Sequence, residues 1–167
     1  ADRYGETVVL QLSSAGADRR RSQIVTALSR MEGVRCIVER SDAETRALEG
    51  LDQRSGVLHG EMTSTLLEIQ EHGLRFLVDV MHGQKTGFYL DQRDSRARIR
   101  ELSAGLEVLN CFAYTGGFAV AALAGGARSV LSVESAASAL ALARRNTDIN
   151  RAALGFTGAE EWREEDV

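Results

Sequence analysis

One segment limits the possible folds of this chain more than any other, because it alternates strand and helix patterns over a short distance. Glu107–Cys111 is predicted to be a short buried strand, and Phe118–Ala124 is a helix pattern of small residues. Ser129–Val133 is a second strand pattern, and Glu134 follows it directly. A strand, a helix and a second strand in this order predict the opening of a parallel sheet with crossover helices, which is an α/β fold.

The first half of the chain predicts a smaller unit. Thr7–Leu12 and Val34–Glu39 are strand patterns, and Ala17–Met31 between them has apolar residues at helical spacing. Thr65–Gln70 and Arg75–Val80 are predicted to form a hairpin around a Glu-His-Gly turn. The order strand, helix, strand, hairpin indicates a compact α+β domain.

These patterns divide the chain into two domains. A small α+β domain is predicted over residues 1–80, and the first part of the parallel sheet is predicted over residues 81–167. Within the first domain, Gly56–Gly60 is predicted to be a turn region, because a glycine stands at each end of it.

The composition is that of a soluble globular protein. Of the 167 residues, 44% are hydrophobic and 26% are charged, which supplies a core and excludes an intrinsically disordered chain. No apolar run approaches the roughly 18–20 residues of a membrane helix, so no membrane partner is expected. Cys36 and Cys111 each lie in an apolar stretch, which predicts buried thiols, no disulfide and a reducing cytoplasm. The three histidines stand alone, so no metal site is predicted.

The net charge of −4 does not by itself favour nucleic acid as a partner, because nucleic-acid surfaces are basic. Arg93, Arg96 and Arg100 nevertheless share one face of a predicted helix. That face either contacts RNA phosphates or is solvated and paired with Asp94 and Glu101. The chain has no proline and does not begin with Met, so we expect it to be a piece of a longer protein.

Gly116 and Gly117, with Glu134 after the next strand, predict a site for a ligand that contains adenosine. Glycine lets the backbone approach a ligand closely, and a carboxylate roughly 20 residues beyond such a turn can accept from ribose hydroxyls. A dinucleotide or phosphate loop needs a third glycine or a Gly-Lys-Ser/Thr ending, and neither is present. Phe112 and Tyr114 add aromatic faces, which attract a sulfonium cation. These residues favour S-adenosylmethionine over NAD, but they leave an NAD-linked oxidoreductase open.

Two longer segments resemble a known family. They are HGQKTGFYLDQRDSR at residues 82–96 and VLNCFAYTGGFAVAALAGGARSVLSVESAASALALARRNTDIN at residues 108–150. Together they resemble the class I S-adenosylmethionine-dependent methyltransferases of 23S rRNA, in the cytosine-5 branch. A guanine-N7 branch shares K-T-G-x-x-L-D-x-R and the aromatic-Gly turn, so it stays an alternative, as does a non-catalytic RNA-binding or assembly module. The resemblance implies a Rossmann-like sheet, S-adenosylmethionine as cofactor, 23S rRNA as partner and a cytoplasmic location, with a homodimer left open.

The resemblance also implies roles for individual residues. Glu134 would hold the ribose hydroxyls, and Asp166 would lie near the adenine amine. The full cofactor-binding set that the resemblance implies is Lys85, Thr86, Gln92, Arg93, Asn110, Phe112, Tyr114, Gly116, Gly117, Glu134 and Asp166.

No catalytic residue is assigned within the chain. In that family a Pro-Pro motif and a catalytic cysteine follow further along, and both would lie beyond Val167. The cysteine is needed because addition of its thiolate to C6 of cytosine makes C5 able to attack the methyl group. Cys111 stands at the cofactor strand rather than at that later position. We therefore do not assign it as the nucleophile, and we expect this piece to be inactive by itself.

Overall fold

The computed structural model describes residues 1–166, which form two compact units. The first unit contains Ala1–Leu67 and Val78–Phe88. The second unit contains Glu68–Leu77 and the chain from Tyr89 onward. No helix of residues 1–166 combines the length and the apolar character that crossing a bilayer requires.

The first unit is built on a four-stranded sheet. Its strands, in sheet order, are β1 (Asp2–Tyr4), β2 (Thr7–Leu10), β3 (Cys36–Ser41) and β4 (Arg54–His59). β2 and β3 are parallel, whereas the two outer pairs are antiparallel. The parallel pair is connected by two helices, α1 (Ala15–Arg19) and α2 (Arg21–Ser29), so the single helix predicted here is interrupted at Arg20.

The helical spacing predicted between these two strands does describe the buried side of α2. Ile24, Val25 and Leu28 pack against a core that contains Val8 and Ile37. The prediction of helical structure between two strands is therefore confirmed, with two helices in place of one.

The prediction of a turn at Gly56–Gly60 is wrong, because most of this segment lies in β4. β3 is buried along its whole length, so its backbone groups need a hydrogen-bonded partner on each side. β4 supplies that partner on the side away from β2, with Gly56 opposite Glu39. Gly56 has a φ of 144°, which glycine adopts without a Cβ penalty, so the residue that suggested a turn is tolerated in the strand.

A two-stranded hairpin is formed by β5 (Leu66–Glu71) and β6 (Leu74–Asp79), as predicted. The two connecting residues, His72 and Gly73, have positive φ values of 48° and 78°. Two residues with positive φ are what the tightest hairpin turns require. Residues 68–77 of the hairpin belong to the second unit and the remainder belongs to the first.

The second unit contains the predicted parallel sheet. Its strands, in sheet order, are β7 (Glu107–Cys111), β8 (Ser129–Glu134) and β9 (Ala159–Glu164), and both pairs are parallel. Its helices are α3 (Arg93–Leu102), α4 (Gly117–Ala124) and α5 (Ala137–Leu154). α4 connects β7 to β8 and α5 connects β8 to β9, which confirms the α/β fold class. The carboxyl ends of all three strands therefore lie at one edge, where such sheets bind ligands.

The small residues of α4 are explained by its packing. Ala119, Ala122 and Leu123 form a buried cluster with Val130 of β8, and Trp162 of β9 packs against this cluster. Side chains as small as alanine let the helix lie close to the sheet.

The prediction that both cysteines are buried is correct for Cys36 and wrong for Cys111, which is exposed. Successive side chains of a strand point to opposite faces. Val108 packs against the core of the second unit, so Leu109 is 64% exposed on the other face of the sheet, and the pattern of β7 continues with an exposed Cys111.

Candidate functional site

The turn between β7 and α4 has an unusual backbone. Phe112, Tyr114 and Gly116 have positive φ values of 54°, 47° and 78°. Glycine adopts this conformation readily, whereas for phenylalanine and tyrosine it costs on the order of 1–2 kcal/mol each. Such residues persist only where the surrounding structure fixes them. The contacts of the turn therefore show what holds it.

Three backbone donors of the turn have partners in the second unit. The N–H of Ala113 donates to the carbonyl of Val133 at 3.0 Å, and the N–H of Gly116 donates to the carbonyl of Ala113 at 2.9 Å. The N–H of Tyr114 donates to the carboxylate oxygen Oε2 of Glu134 at 2.8 Å. The carboxylate singled out from the sequence thus faces the turn singled out with it.

Glu134 is buried at the carboxyl end of β8, with 8% of its surface exposed. Besides the bond from Tyr114, its Oε1 accepts from the N–H of Ala136 at 3.0 Å and from the hydroxyl of Ser135 at 3.5 Å. A carboxylate has about four lone-pair sites, two on each oxygen, so Oε2, which accepts from Tyr114 alone among the residues that the structure describes, can accept a further hydrogen bond. Within residues 1–166, no arginine, lysine or histidine forms an ion pair with Glu134.

Packing and backbone conformation both require glycine at position 116. A Cβ at this position would lie 2.9 Å from the Cβ of Ala143 in α5 and 3.3 Å from the ring of Trp162 in β9. The positive φ of Gly116 also disfavours any other residue. Packing and backbone conformation therefore explain this glycine without a ligand. Gly117 follows it as the first residue of α4.

The aromatic residues of the turn differ in exposure. Phe112 is 72% exposed, so a face of its ring is open. Tyr114 is half-buried, and its ring meets that of Tyr89 edge to face, with the centroids 5.5 Å apart and the planes at 87°. Asn110, on β7 before the turn, donates from Nδ2 to the hydroxyl of Ser132 on β8 at 3.3 Å.

Lys85 and Thr86 of the predicted set belong to the first unit. Lys85 is exposed and has a φ of 52°. Thr86 is buried, and its hydroxyl donates to the carboxylate of Asp2 at 2.5 Å. The same hydroxyl lies 2.9 Å from that of Tyr4, whose pKa is raised by its burial.

The arginine face predicted on α3 is not a continuous open surface. Arg96 is buried and makes two hydrogen bonds of 2.7 Å with the carboxylate of Glu71. Its Nη1 donates to the carbonyl of Tyr89 at 3.0 Å, and Arg100 donates to the carbonyl of His72 at 3.0 Å. Neither alternative predicted from the sequence describes Arg96, because its partner comes from the hairpin.

The remaining predicted residues lie near the ends of elements of the second unit. Gln92 precedes α3, and Arg93 begins it with its guanidinium 3.9 Å from the carboxylate of Glu71. Asp166 is exposed and follows β9. The roles of these three residues stay predictions. In the described part of the chain, no group of three or more His, Cys, Asp or Glu residues could hold a metal ion.

The sequence analysis missed two buried residues of α5, and one of them contacts the turn. Asn146 and Asn150 are 0% and 1% exposed, and the amide of Asn146 donates to the carbonyl of Thr115 in the turn at 2.9 Å. The sequence does indicate that both asparagines are buried, because they lie on the same face of the helix as Leu142 and Ala143. An amide on the apolar face of a helix is buried, and a buried amide needs hydrogen-bond partners.

The chain is similar to proteins of one family. A family model described as S-adenosylmethionine-dependent methyltransferase matches residues 46–163. Ribosomal RNA large subunit methyltransferase I of Shigella dysenteriae serotype 1 is 48% identical over 150 residues, which are 90% of this chain and 38% of that protein. The protein of the same name from Escherichia coli O157:H7 has the same identity and coverage. The chain thus spans about 38% of the length of these curated relatives.

Two solved structures have the same fold over nearly the whole chain. SMU.776, assigned as a methyltransferase and crystallised with SAH, aligns with a TM-score of 0.82 at 29% identity and covers 98% of this chain and 40% of that chain. Methanocaldococcus jannaschii Trm5, solved in complex with adenosine, aligns with a TM-score of 0.72 at 22% identity. The alignment covers 98% of this chain and 47% of the Trm5 chain. At that identity, the second likeness shows the fold alone.

Proposed function

Because this chain belongs to the S-adenosylmethionine-dependent methyltransferase family, we propose that its second unit binds S-adenosylmethionine and that the whole protein methylates 23S rRNA. The observation that carries the proposal is the hydrogen bond from the N–H of Tyr114 to Glu134. It joins an acidic strand end to a left-handed turn at the ligand-binding edge of a parallel sheet. The name of the curated relatives supports ribosomal RNA as the substrate.

Three features of the turn suit S-adenosylmethionine. Oε2 of Glu134 retains a lone pair for a ribose hydroxyl. Phe112 has an open ring face, on which adenine can stack or toward which a sulfonium is attracted. Among the described residues, the buried hydroxyl of Thr115 has no hydrogen-bond partner, and a polar atom of this kind needs one. When bound, the cofactor supplies an electrophilic methyl group on its sulfonium sulfur.

The other predicted residues keep their proposed roles around this turn. We propose that Asp166 lies near the adenine amine. We propose that Lys85, Gln92 and Arg93 contact the methionine end of the cofactor or the RNA. The hydroxyl of Thr86 is bonded to Asp2 within the first unit, and the cofactor-binding role of Thr86 stays a proposal.

We propose C5 of a cytosine as the methylated atom and the cytoplasm as the location. This reaction needs a thiolate that adds to C6. Burial raises the pKa of Cys36 and so keeps its thiol protonated, and Cys111 ends the strand that leads into the cofactor turn. As the family resemblance implies, we propose that the nucleophile is a cysteine of a later segment and neither Cys36 nor Cys111. In this proposal the chain contributes to cofactor binding and does not catalyse alone.

Calorimetric titration with S-adenosylhomocysteine tests the cofactor. It is applied to this chain and to a protein of the relatives' length that contains it, and binding is expected at least in the longer protein. Undetectable binding at about millimolar ligand rules against a methyltransferase, since a Kd of about 1 mM corresponds to only about 4 kcal/mol of binding free energy. A parallel titration with NAD then separates an oxidoreductase from a non-catalytic RNA-binding module.

Mass spectrometry of rRNA nucleosides tests the target atom. Purified 23S rRNA is incubated with the longer protein and S-adenosylmethionine, and 5-methylcytidine is the expected product. Formation of 7-methylguanosine instead would assign the protein to the guanine-N7 alternative.

A further inference from the structure

Two buried asparagines of α5 occupy one edge of β6 in place of a neighbouring strand. Oδ1 of Asn146 accepts from the N–H of Leu77 at 2.7 Å, and Oδ1 of Asn150 accepts from the N–H of Arg75 at 2.8 Å. Their Nδ2 groups donate to the carbonyls of the same two residues, at 3.4 Å and 2.6 Å. The asparagines are about one helical turn apart, and Arg75 and Leu77 are alternate residues of the strand, so both amides meet the same strand edge.

Only one of the two asparagines also reaches the turn. Nδ2 of Asn146 donates to the carbonyl of Thr115 at 2.9 Å, whereas Nδ2 of Asn150 donates to the carbonyl of Asn146 within the helix at 2.7 Å. Thr115 stands between Tyr114 and Gly116, both of which have positive φ. The two asparagines therefore make equivalent contacts with β6 and differ in their contact with the turn.

A second connection runs from the same hairpin to the turn. Glu71, the last residue of β5, binds Arg96, and Arg96 holds the carbonyl of Tyr89 at 3.0 Å. The ring of Tyr89 then packs edge to face against Tyr114. The hairpin residues of the second unit are thus connected to the turn through a side chain of α5 and through a side chain of α3.

We propose that Asn146 is a positioning residue for the S-adenosylmethionine site, a role that rests on the function proposed above. Its amide fixes the carbonyl of Thr115, and this keeps the N–H of the preceding Tyr114 directed at Glu134. An amide suits this task because one planar group provides an acceptor for Leu77 and donors for Thr115. Asn146 is 0% exposed, so it acts on the cofactor through the turn and not by contact.

Serine variants of the two asparagines form a matched pair, compared in a protein of the relatives' length. Asn146→Ser and Asn150→Ser each remove an amide that binds β6, so both are expected to lower the Tm. Asn146→Ser alone also removes the Thr115 contact. We expect it to weaken S-adenosylhomocysteine binding about tenfold, the scale of one lost buried hydrogen bond, and we expect Asn150→Ser to stay within about twofold of wild type.

Kinetics distinguish positioning from general destabilisation. Asn146→Ser is expected to raise KM for S-adenosylmethionine and to leave KM for rRNA unchanged, whereas a loss of folded protein lowers only the apparent kcat. Equal losses of affinity in the two variants, or none in Asn146→Ser, overturn the positioning role alone. Failure of the wild type to bind the ligand overturns the proposed function and the inference together. If Asn146→Ser does not fold, Asn146→Asp, which keeps an acceptor for Leu77, is compared with Asn150→Asp by the same criterion.

Discussion

Each unit of the molecule contains a parallel strand pair joined by helices, and the second strand of each pair carries a buried glutamate. Glu39 on β3 is 3% exposed and forms an ion pair with Arg21 at 2.9 Å. Glu134 on β8 is 8% exposed and accepts from the backbone N–H groups of Tyr114 and Ala136. An arginine partner neutralises the first charge inside the protein, whereas backbone donors leave the second charge and part of its lone pairs for a ligand.

The strand-to-helix connections of the two units also differ, because the first has an ordinary helix start and the second has a strained backbone. In the first unit, the hydroxyl of Ser14 caps α1 by accepting from the N–H of Ala17 at 3.3 Å, which is an ordinary helix start. In the second unit, α4 begins without a side-chain cap after Phe112, Tyr114 and Gly116 with positive φ. An unstrained connection beside a neutralised acid is typical of a structural element, and a strained one beside an unpaired acid is typical of a binding site.

The largest effect is expected from a methyl group in the strained connection. Gly116→Ala places a Cβ 2.9 Å from that of Ala143 on a backbone with positive φ, so we expect a loss of about 2–5 kcal/mol in unfolding free energy and loss of S-adenosylhomocysteine binding. Gly155→Ala is the control, because Gly155 has a φ of 68° with nothing within 4 Å of the added Cβ. Urea denaturation measures both, and equal losses would contradict the packing explanation.

Removing the arginine partner of Glu39 is expected to act on stability alone. Arg21→Ala leaves a buried carboxylate without its ion pair, which predicts a loss of about 2–3 kcal/mol in unfolding free energy. Arg35→Ala breaks an exposed ion pair with Glu6 and is expected to change stability by less than about 1 kcal/mol. Calorimetry of the Arg21 variant should give wild-type affinity for S-adenosylhomocysteine, and a tenfold weaker affinity would mean that the two glutamates are not functionally distinct.

Removing Glu134, which accepts hydrogen bonds from backbone N–H groups, is expected to weaken ligand binding. Glu134→Ala should weaken S-adenosylhomocysteine binding by about 1–3 kcal/mol, the scale of a lost charge-assisted hydrogen bond. Glu107→Ala is the control, because Glu107 is exposed at the opposite end of the sheet and paired with Arg128. Calorimetry measures both, and an unchanged affinity in the Glu134 variant would show that this acid does not hold the ribose.

The smallest effect concerns the pH dependence of the ion pairs in the first unit. A hydrogen bond from Arg46 holds the pKa of Asp18 below its ordinary value. A carboxyl whose pKa is lower in the folded protein stabilises the fold above the unfolded pKa, and this contribution is lost as the pH falls through the folded pKa. Asp18→Asn should therefore flatten the decline of Tm below about pH 4. Parallel Tm curves for variant and wild type would contradict this, and ligand affinity at neutral pH should not change.

Much of the second unit could be predicted because its signals are local. β7, α4 and β8 follow from periodicity and small residues, and the turn and Glu134 follow from their order along the chain. β4 was missed because Gly56 indicates a turn when its neighbours alone are considered, whereas its strand conformation depends on pairing with the buried β3. The exposure of Cys111 was likewise missed, because an apolar stretch does not show which face of a strand is covered.

Periodicity and short motifs were enough to predict the alternation of strands and helices in the second unit, its parallel sheet, the family resemblance and the association of an acid with a glycine turn, since all of these depend on patterns along short stretches of sequence. The burial of Arg96 against Glu71 and the contacts of Asn146 with Leu77 and Thr115 required the folded chain. Those partners are 25, 69 and 31 positions apart. A polar residue on a helix shows that it needs a hydrogen-bond partner once buried, but packing determines which distant backbone or side chain becomes that partner.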